Sequence, residues 1–221
     1  MPIAAIQTMY AGCHFRSRLE ARWAVFFDRM GIHWQYEPQG YMVTDGHAPP
    51  VAYLPDFWLP DIGIWVEVKG HMSDKDLITL CYAAFDHRGG LPISPSGQPV
   101  DDTTRNRTAI LILGDVPRPN PADHILHWAL RFHKGFVYPQ RAWWTWNGRP
   151  RLSYEQNGMY LTQAIHSDEG INHTALGTFA AVCTESERNL RVAAGNPGNI
   201  GVNSAYTAAR SARFEHGQSG T

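Results

Sequence analysis

Two acids and a lysine stand out by type and spacing: Asp56, Glu67 eleven residues later, and Lys69 two residues beyond that. They lie in the stretch from Tyr53 to Gly70, which reads as two short strands joined by a turn at Pro60, Asp61 and Gly63. Period-two logic sends Ile64, Val66 and Val68 to one face of the second strand and Trp65, Glu67 and Lys69 to the other. A carboxylate and an ammonium then stand side by side, with Asp56 on the neighbouring strand. Two carboxylates about 4 Å apart repel by roughly 4 kcal/mol at an effective dielectric of about 20. Such a pair persists when a cation sits between them. Lys69 supplies one positive charge, and a divalent metal would supply two more. Mg²⁺ prefers oxygen ligands, keeps several waters and takes only one or two carboxylates. The plainer alternative is a surface strand with an ordinary Glu-Lys neighbour pair.

The elements that must position these residues are legible around them. Ser17 with Glu20 three residues on is a capping-box pattern. The helix it opens runs to about Met30, with Gly31 as its stop and Leu19, Trp23, Phe26, Phe27 and Met30 as its buried stripe. His33 to Val43 alternates and is expected to be one strand bent at Pro38 to Gly40; Glu37 on it is a further acid, read as a solvated edge residue. Ser73 begins a helix with Asp74 and Asp76 in its first turn. Thr108 to Leu113 is a continuous apolar run, as in a central strand buried on both faces. Pro121 to about Phe132 reads as a helix. The first 130 residues thus give the order α-β-β-β-α-β-α.

Pro55-Asp56 followed by Glu67-Val68-Lys69 resembles the signature of the PD-(D/E)XK nuclease superfamily. The resemblance covers roughly residues 14 to 115, and its order of helix acid, Pro-Asp and E-V-K-G is similar to phage-type Holliday-junction resolvases and transposase endonuclease subunits. It implies an α/β fold with a restriction-endonuclease-like αβββαβ core, a mixed central sheet flanked by helices, over residues 14–150. Residues 151–221 would form a C-terminal extension, partly helical with a disordered tail. It also implies a Mg²⁺-dependent DNA endonuclease, Mn²⁺ substituting, that hydrolyses phosphodiester bonds to leave 5′-phosphates. Asp56, Glu67 and the backbone carbonyl of Val68 would hold the metal, with Glu20 completing the site. Lys69 would orient or help deprotonate the attacking water, so the implied catalytic set is Glu20, Asp56, Glu67 and Lys69. Arg16, Arg18, Arg22 and Lys75 are the candidates for DNA backbone contacts. The alternative function is a non-catalytic DNA-binding or phage-assembly module that keeps the fold. Resolvases and many restriction enzymes pair to cut two strands, so a homodimer stands beside the monomer as an expectation.

Composition excludes several other classes. The chain has 221 residues, 43% apolar and 18% charged, with a net charge of −1. That fits one domain, or one with an appendage, and gives no overall basic signature. A DNA partner must therefore be argued from local patches. Cys13, Cys81 and Cys183 form no C-x-x-C pair and are odd in number, against a disulfide framework or zinc ribbon. No apolar run reaches the ~18 residues of a membrane span, and the reading is a cytoplasmic protein of a bacterium or a phage-infected host. Arg141, Trp143, Trp144, Trp146, Arg149 and Arg151 interleave bases with aromatics, as a nucleic-acid surface would. A hairpin with its tryptophans in the core is the favoured reading of the same residues.

Overall fold

The structure, a computed structural model, describes residues 7–85, 89–99, 109–119, 123–154, 164–167, 169–186, 191–193 and 200–214. A short hairpin, β1 (Thr8–Tyr10) and β2 (Cys13–Phe15), leads into α1 (Arg18–Met30). Five short strands follow: β3 (Gln35–Tyr36), β4 (Tyr41–Val43), β5 (Val51–Tyr53), β6 (Phe57–Leu59) and β7 (Ile64–Val68). Then come α2 (Asp74–Ala84), β8 (Ala109–Leu113), β9 (Asp123–Ile125), β10 (His127–His133), β11 (Phe136–Trp146) and β12 (Pro150–Tyr154). The chain continues through β13 (His166–Ser167), β14 (Gly170–Ile171), α3 (His173–Ser186), β15 (Arg191–Ala193) and α4 (Ile200–Ser211). The protein is thus mixed α/β, with four helices among the described residues.

Nine strands form one mixed sheet in the order β14-β13-β11-β10-β8-β7-β6-β3, with β12 also pairing β11. β3, β6 and β7 form an antiparallel meander, and β7 pairs β8 in parallel across the α2 crossover. β7 and β8 are buried at every position, which the apolar run through β8 anticipates.

The alternation read for β7 is the one the sheet uses. Ile64, Val66 and Val68 join a core with α1, while Trp65 joins the core built on α2. α1 fits its first face because its apolar residues fall on one stripe: Phe26 lies 4.6 Å from the Tyr206 ring and 5.7 Å from Trp144, and Phe27 lies 5.4 Å from Phe57. Tyr206 belongs to α4, so residues beyond 150 build the same core as the first helix. On the opposite face Leu77, Leu80 and Cys81 of α2 are buried, and Phe179 of α3 stacks edge-on against Trp128 at 5.3 Å.

The ends of α1 are specified locally. The Ser17 hydroxyl accepts the Glu20 N–H, and Gly31 takes φ +65° while its N–H donates to the Asp28 carbonyl and that of Ile32 to Phe27. This is a Schellman stop, whose left-handed residue is favoured as glycine. Gly31→Ala is expected to lower stability by about 1 kcal/mol, read as a lower urea midpoint with an unchanged m-value.

Three expectations are corrected. Of the helix expected from Pro121 to about Phe132, the described residues from Asp123 on are strands instead, β9 and most of β10. Both faces of β10 are packed, Trp128 and Leu130 toward α2 and Ala129 toward α1, so the apolar residues lose the alternation that marks a half-exposed strand. His33 to Val43 is not one bent strand, because β3 pairs β6 while β4 pairs β5 in a separate two-stranded sheet. The runs Gly135 to Tyr138 and Ala142 to Trp146 read as two strands in the sequence, whereas the structure joins them in one, β11 from Phe136, with Pro139 lying between its pairings to β13 and to β12. The expected tail, 215–221, lies outside the described residues. No helix among the described residues is long and apolar enough to cross a membrane.

Candidate active site

The β6–β7 hairpin brings the two acids together. Its register pairs Phe57 with Val66, so one pair further on Asp56 stands opposite Glu67, a cross-strand separation of about 4.5–5.5 Å between Cβ atoms. Both are buried, Asp56 at 6% and Glu67 at 4% exposure. Asp56 Oδ2 accepts the Val68 N–H at 2.7 Å. A strand residue sends its N–H and C=O to the same edge, so the Val68 carbonyl also faces the Asp56 side. The Lys69 N–H points the other way and donates to the Leu113 carbonyl at 2.9 Å.

Each acid has a distinct set of partners. Tyr53, the last residue of β5, donates its hydroxyl to Glu67 Oε2 at 2.8 Å. Glu67 Oε1 faces the Lys69 ammonium at 3.2 Å, and that ammonium lies 3.7 Å from Asp76 Oδ1 on α2. Asp76 is fixed by Ser73, whose hydroxyl and N–H both donate to it in a complete capping box. Glu20 is also buried, but α1 lies on the sheet face opposite Glu67. Its carboxylate accepts the Ser17 hydroxyl at 2.6 Å, the Tyr36 hydroxyl at 2.6 Å and the Arg16 N–H at 3.1 Å. The Arg16 guanidinium contacts Glu37 and lies 3.8 Å from Asp56 Oδ1.

Burial and proximity set the protonation balance. Burial first, and then the Glu67 charge, push Asp56 well above the ordinary carboxylate range against the Val68 N–H bond, which pulls it down. Glu67 is also raised by burial, with Lys69 and the Tyr53 hydroxyl opposing. Burial alone would lower Lys69, yet Glu67, Asp76 and Asp56 outweigh it and raise its pKa, so it stays an ammonium. Asp76 moves down, its bonds from Ser73 and the nearby Lys69 overcoming burial.

These groups open into one cleft of about 600 Å³, lined by Arg16, Glu20, Asp56, Glu67, Lys69 and Lys75 among others. Lys75 is exposed at its rim. Arg18, exposed on α1, and Arg22, half-buried, do not line it. Among the described residues no three His, Cys, Asp or Glu side chains converge as a ready ligand set, so Glu20 shares the cleft without joining Asp56 and Glu67 as a third ligand. A two-carboxylate site completed by a carbonyl and water still suits Mg²⁺. Burial raises both acids, and the Glu67 charge raises Asp56 further; a divalent cation beside them would favour their charged forms.

Tyr53, Tyr36 and Asp76 hold the site together, yet sequence reasoning gave them no role there. Asp76 carried a signal, its offset of three from Ser73, but that spoke only for a helix start. The aromatic-basic set divides as well: Trp144 is core, Trp143 lies 5.9 Å from the His124 ring, and Trp146 is 38% exposed. Tyr53→Phe removes a donor to the charged form of Glu67 and is expected to weaken Mn²⁺ binding by about 10–100-fold, the usual cost of losing an outer-shell partner, measured by titration calorimetry near neutral pH.

Comparison with family models, with curated proteins and with solved structures finds no match for this chain.

Proposed function

We propose that the chain is a Mg²⁺-dependent DNA endonuclease with a restriction-endonuclease-like core, hydrolysing phosphodiester bonds to leave 5′-phosphate ends. The observation that carries the proposal is the opposition of two buried acids, Asp56 and Glu67, across β6 and β7, with Lys69 two residues on at the wall of the same cleft. The order α1, β3, β6, β7, α2, β8, an antiparallel meander followed by a parallel crossover strand, supports the fold half of the reading.

Asp56, Glu67 and the Val68 carbonyl would hold the cation. When bound, Mg²⁺ supplies Lewis acidity and positive charge for phosphoryl transfer. Lys69, kept protonated between Glu67 and Asp76, donates to the attacking water or to a non-bridging phosphate oxygen and offsets the charge that grows there. Tyr53 fixes the orientation of Glu67, and Asp76 fixes the reach of Lys69. Lys75 and Arg16 at the cleft give the phosphate backbone its nearest cations, with Arg18 further along α1.

Supercoiled plasmid incubated with Mg²⁺ is expected to be nicked or linearised, and EDTA to prevent it. The new ends should be ligatable without prior phosphorylation. Binding without cleavage would remove the enzymatic reading and leave a DNA-binding module.

A further inference from the structure

Arg16 sits where the site's cationic charge is needed and is held there by an acid outside the motif. Its guanidinium contacts Glu37 directly and lies 3.8 Å from Asp56 Oδ1, beyond hydrogen-bond range. The nearer partner is therefore Glu37, and the hold on Asp56 is loose. The Arg16 side chain is 56% exposed, against 23% for Glu37 and 8% for Asp56. The backbone is arranged to make this possible. Glu37 takes φ +43°, left-handed backbone that a non-glycine residue adopts at a cost and that is concentrated at functional sites. Its N–H donates to the Asp56 carbonyl at 2.8 Å, which ties the strained residue to the motif. The Arg16 N–H serves Glu20 and the Tyr36 hydroxyl, so the local fold is secured by its main chain, while its half-exposed side chain meets the Tyr36 hydroxyl as well as Glu37.

We propose that Arg16 and Glu37 form an exchangeable clamp on the candidate metal site: the guanidinium, seated on Glu37, screens Asp56 from 3.8 Å away in the metal-free protein and keeps only its Glu37 contact when a divalent cation takes that carboxylate. The clamp rests on the reading of Asp56 and Glu67 as cation ligands. Arg16 competes with the metal for Asp56, and Glu37 competes with Asp56 for Arg16. Removing one or the other must then move metal affinity in opposite directions.

Titration calorimetry with Mn²⁺ tests this on the full chain. Arg16→Gln is expected to tighten Mn²⁺ binding by about fivefold, the upper range for a half-exposed ion pair. Glu37→Gln, which releases the guanidinium toward Asp56, is expected to weaken it by a similar factor. A purely structural pair would shift both variants the same way or neither, and either result overturns the clamp. If the unaltered protein binds no Mn²⁺, the clamp and the metal site fall together. If the two variants move oppositely and plasmid is still not cut, the clamp stands and the nuclease reading falls.

Discussion

Lys69→Ala is expected to slow plasmid cleavage by about 10²–10⁴-fold, the range for loss of a positioned proton-handling group, with the far-UV circular dichroism unchanged. The side chain is only partly buried, and its main-chain N–H, which pairs with Leu113, survives the substitution. Two effects contribute and can be separated. Lys69 is the strongest influence opposing the rise of the Glu67 pKa. Its removal leaves Glu67 protonated to a higher pH and so weakens metal binding. It also removes the ammonium from the cleft wall, where a phosphate oxygen or attacking water would be met. The first effect disappears at saturating Mn²⁺ and higher pH, whereas the second remains in kcat. A variant restored to full rate by excess Mn²⁺ would show Lys69 to be a counterion for Glu67 and nothing more.

How much of this arrangement is written locally differs from element to element. α1 was legible to its ends because both its stripe and its caps are short-range: Ser17, Gly31 and the apolar positions between them depend on no distant residue. β7 was legible because its two faces meet different cores while Glu67 and Lys69 interrupt the apolar run at alternate positions. β10 was not, since a strand packed on both sides has no polar face to set its period, and Trp128, Ala129 and Phe132 satisfy helical spacing equally well. The site divides in the same way. Asp56, Glu67 and Lys69 are found by spacing because a hairpin of fixed register makes sequence distance equal to spatial pairing. Tyr36, Glu37 and Asp76 reach the site from β3, the turn after it and α2, through packing that no periodicity encodes. The C-terminal helix α4 shows the limit most directly: its Tyr206 lies against Phe26, 180 residues away in sequence, and only the folded sheet brings them together.

Asp56→Asn is expected to separate stability from function. Asparagine keeps the shape, and its side-chain oxygen can still accept the Val68 N–H. It removes the charge that burial and Glu67 disfavour. The sign of the pH dependence follows from the raised pKa. A carboxyl whose folded pKa lies above its unfolded value, about 3.9 for aspartate, gives its full stabilising contribution below the unfolded value and loses it as pH rises through the folded one. The metal-free protein should therefore lose the Asp56 contribution to stability on going from mildly acidic pH toward neutrality, the reverse of a salt-bridged carboxylate. Asp56→Asn should flatten that part of the profile and match or exceed the parent near pH 7. Divalent metal reverses the ranking. At a hundredfold excess over its Kd, Mn²⁺ should stabilise the parent by about 2.7 kcal/mol through mass action and leave the variant unchanged. Thermal melts across pH 5–8, with and without Mn²⁺, read both effects. A variant less stable than the parent without metal, or equally stabilised by it, would mean that the Asp56 charge is satisfied within the protein and that no cation belongs beside it.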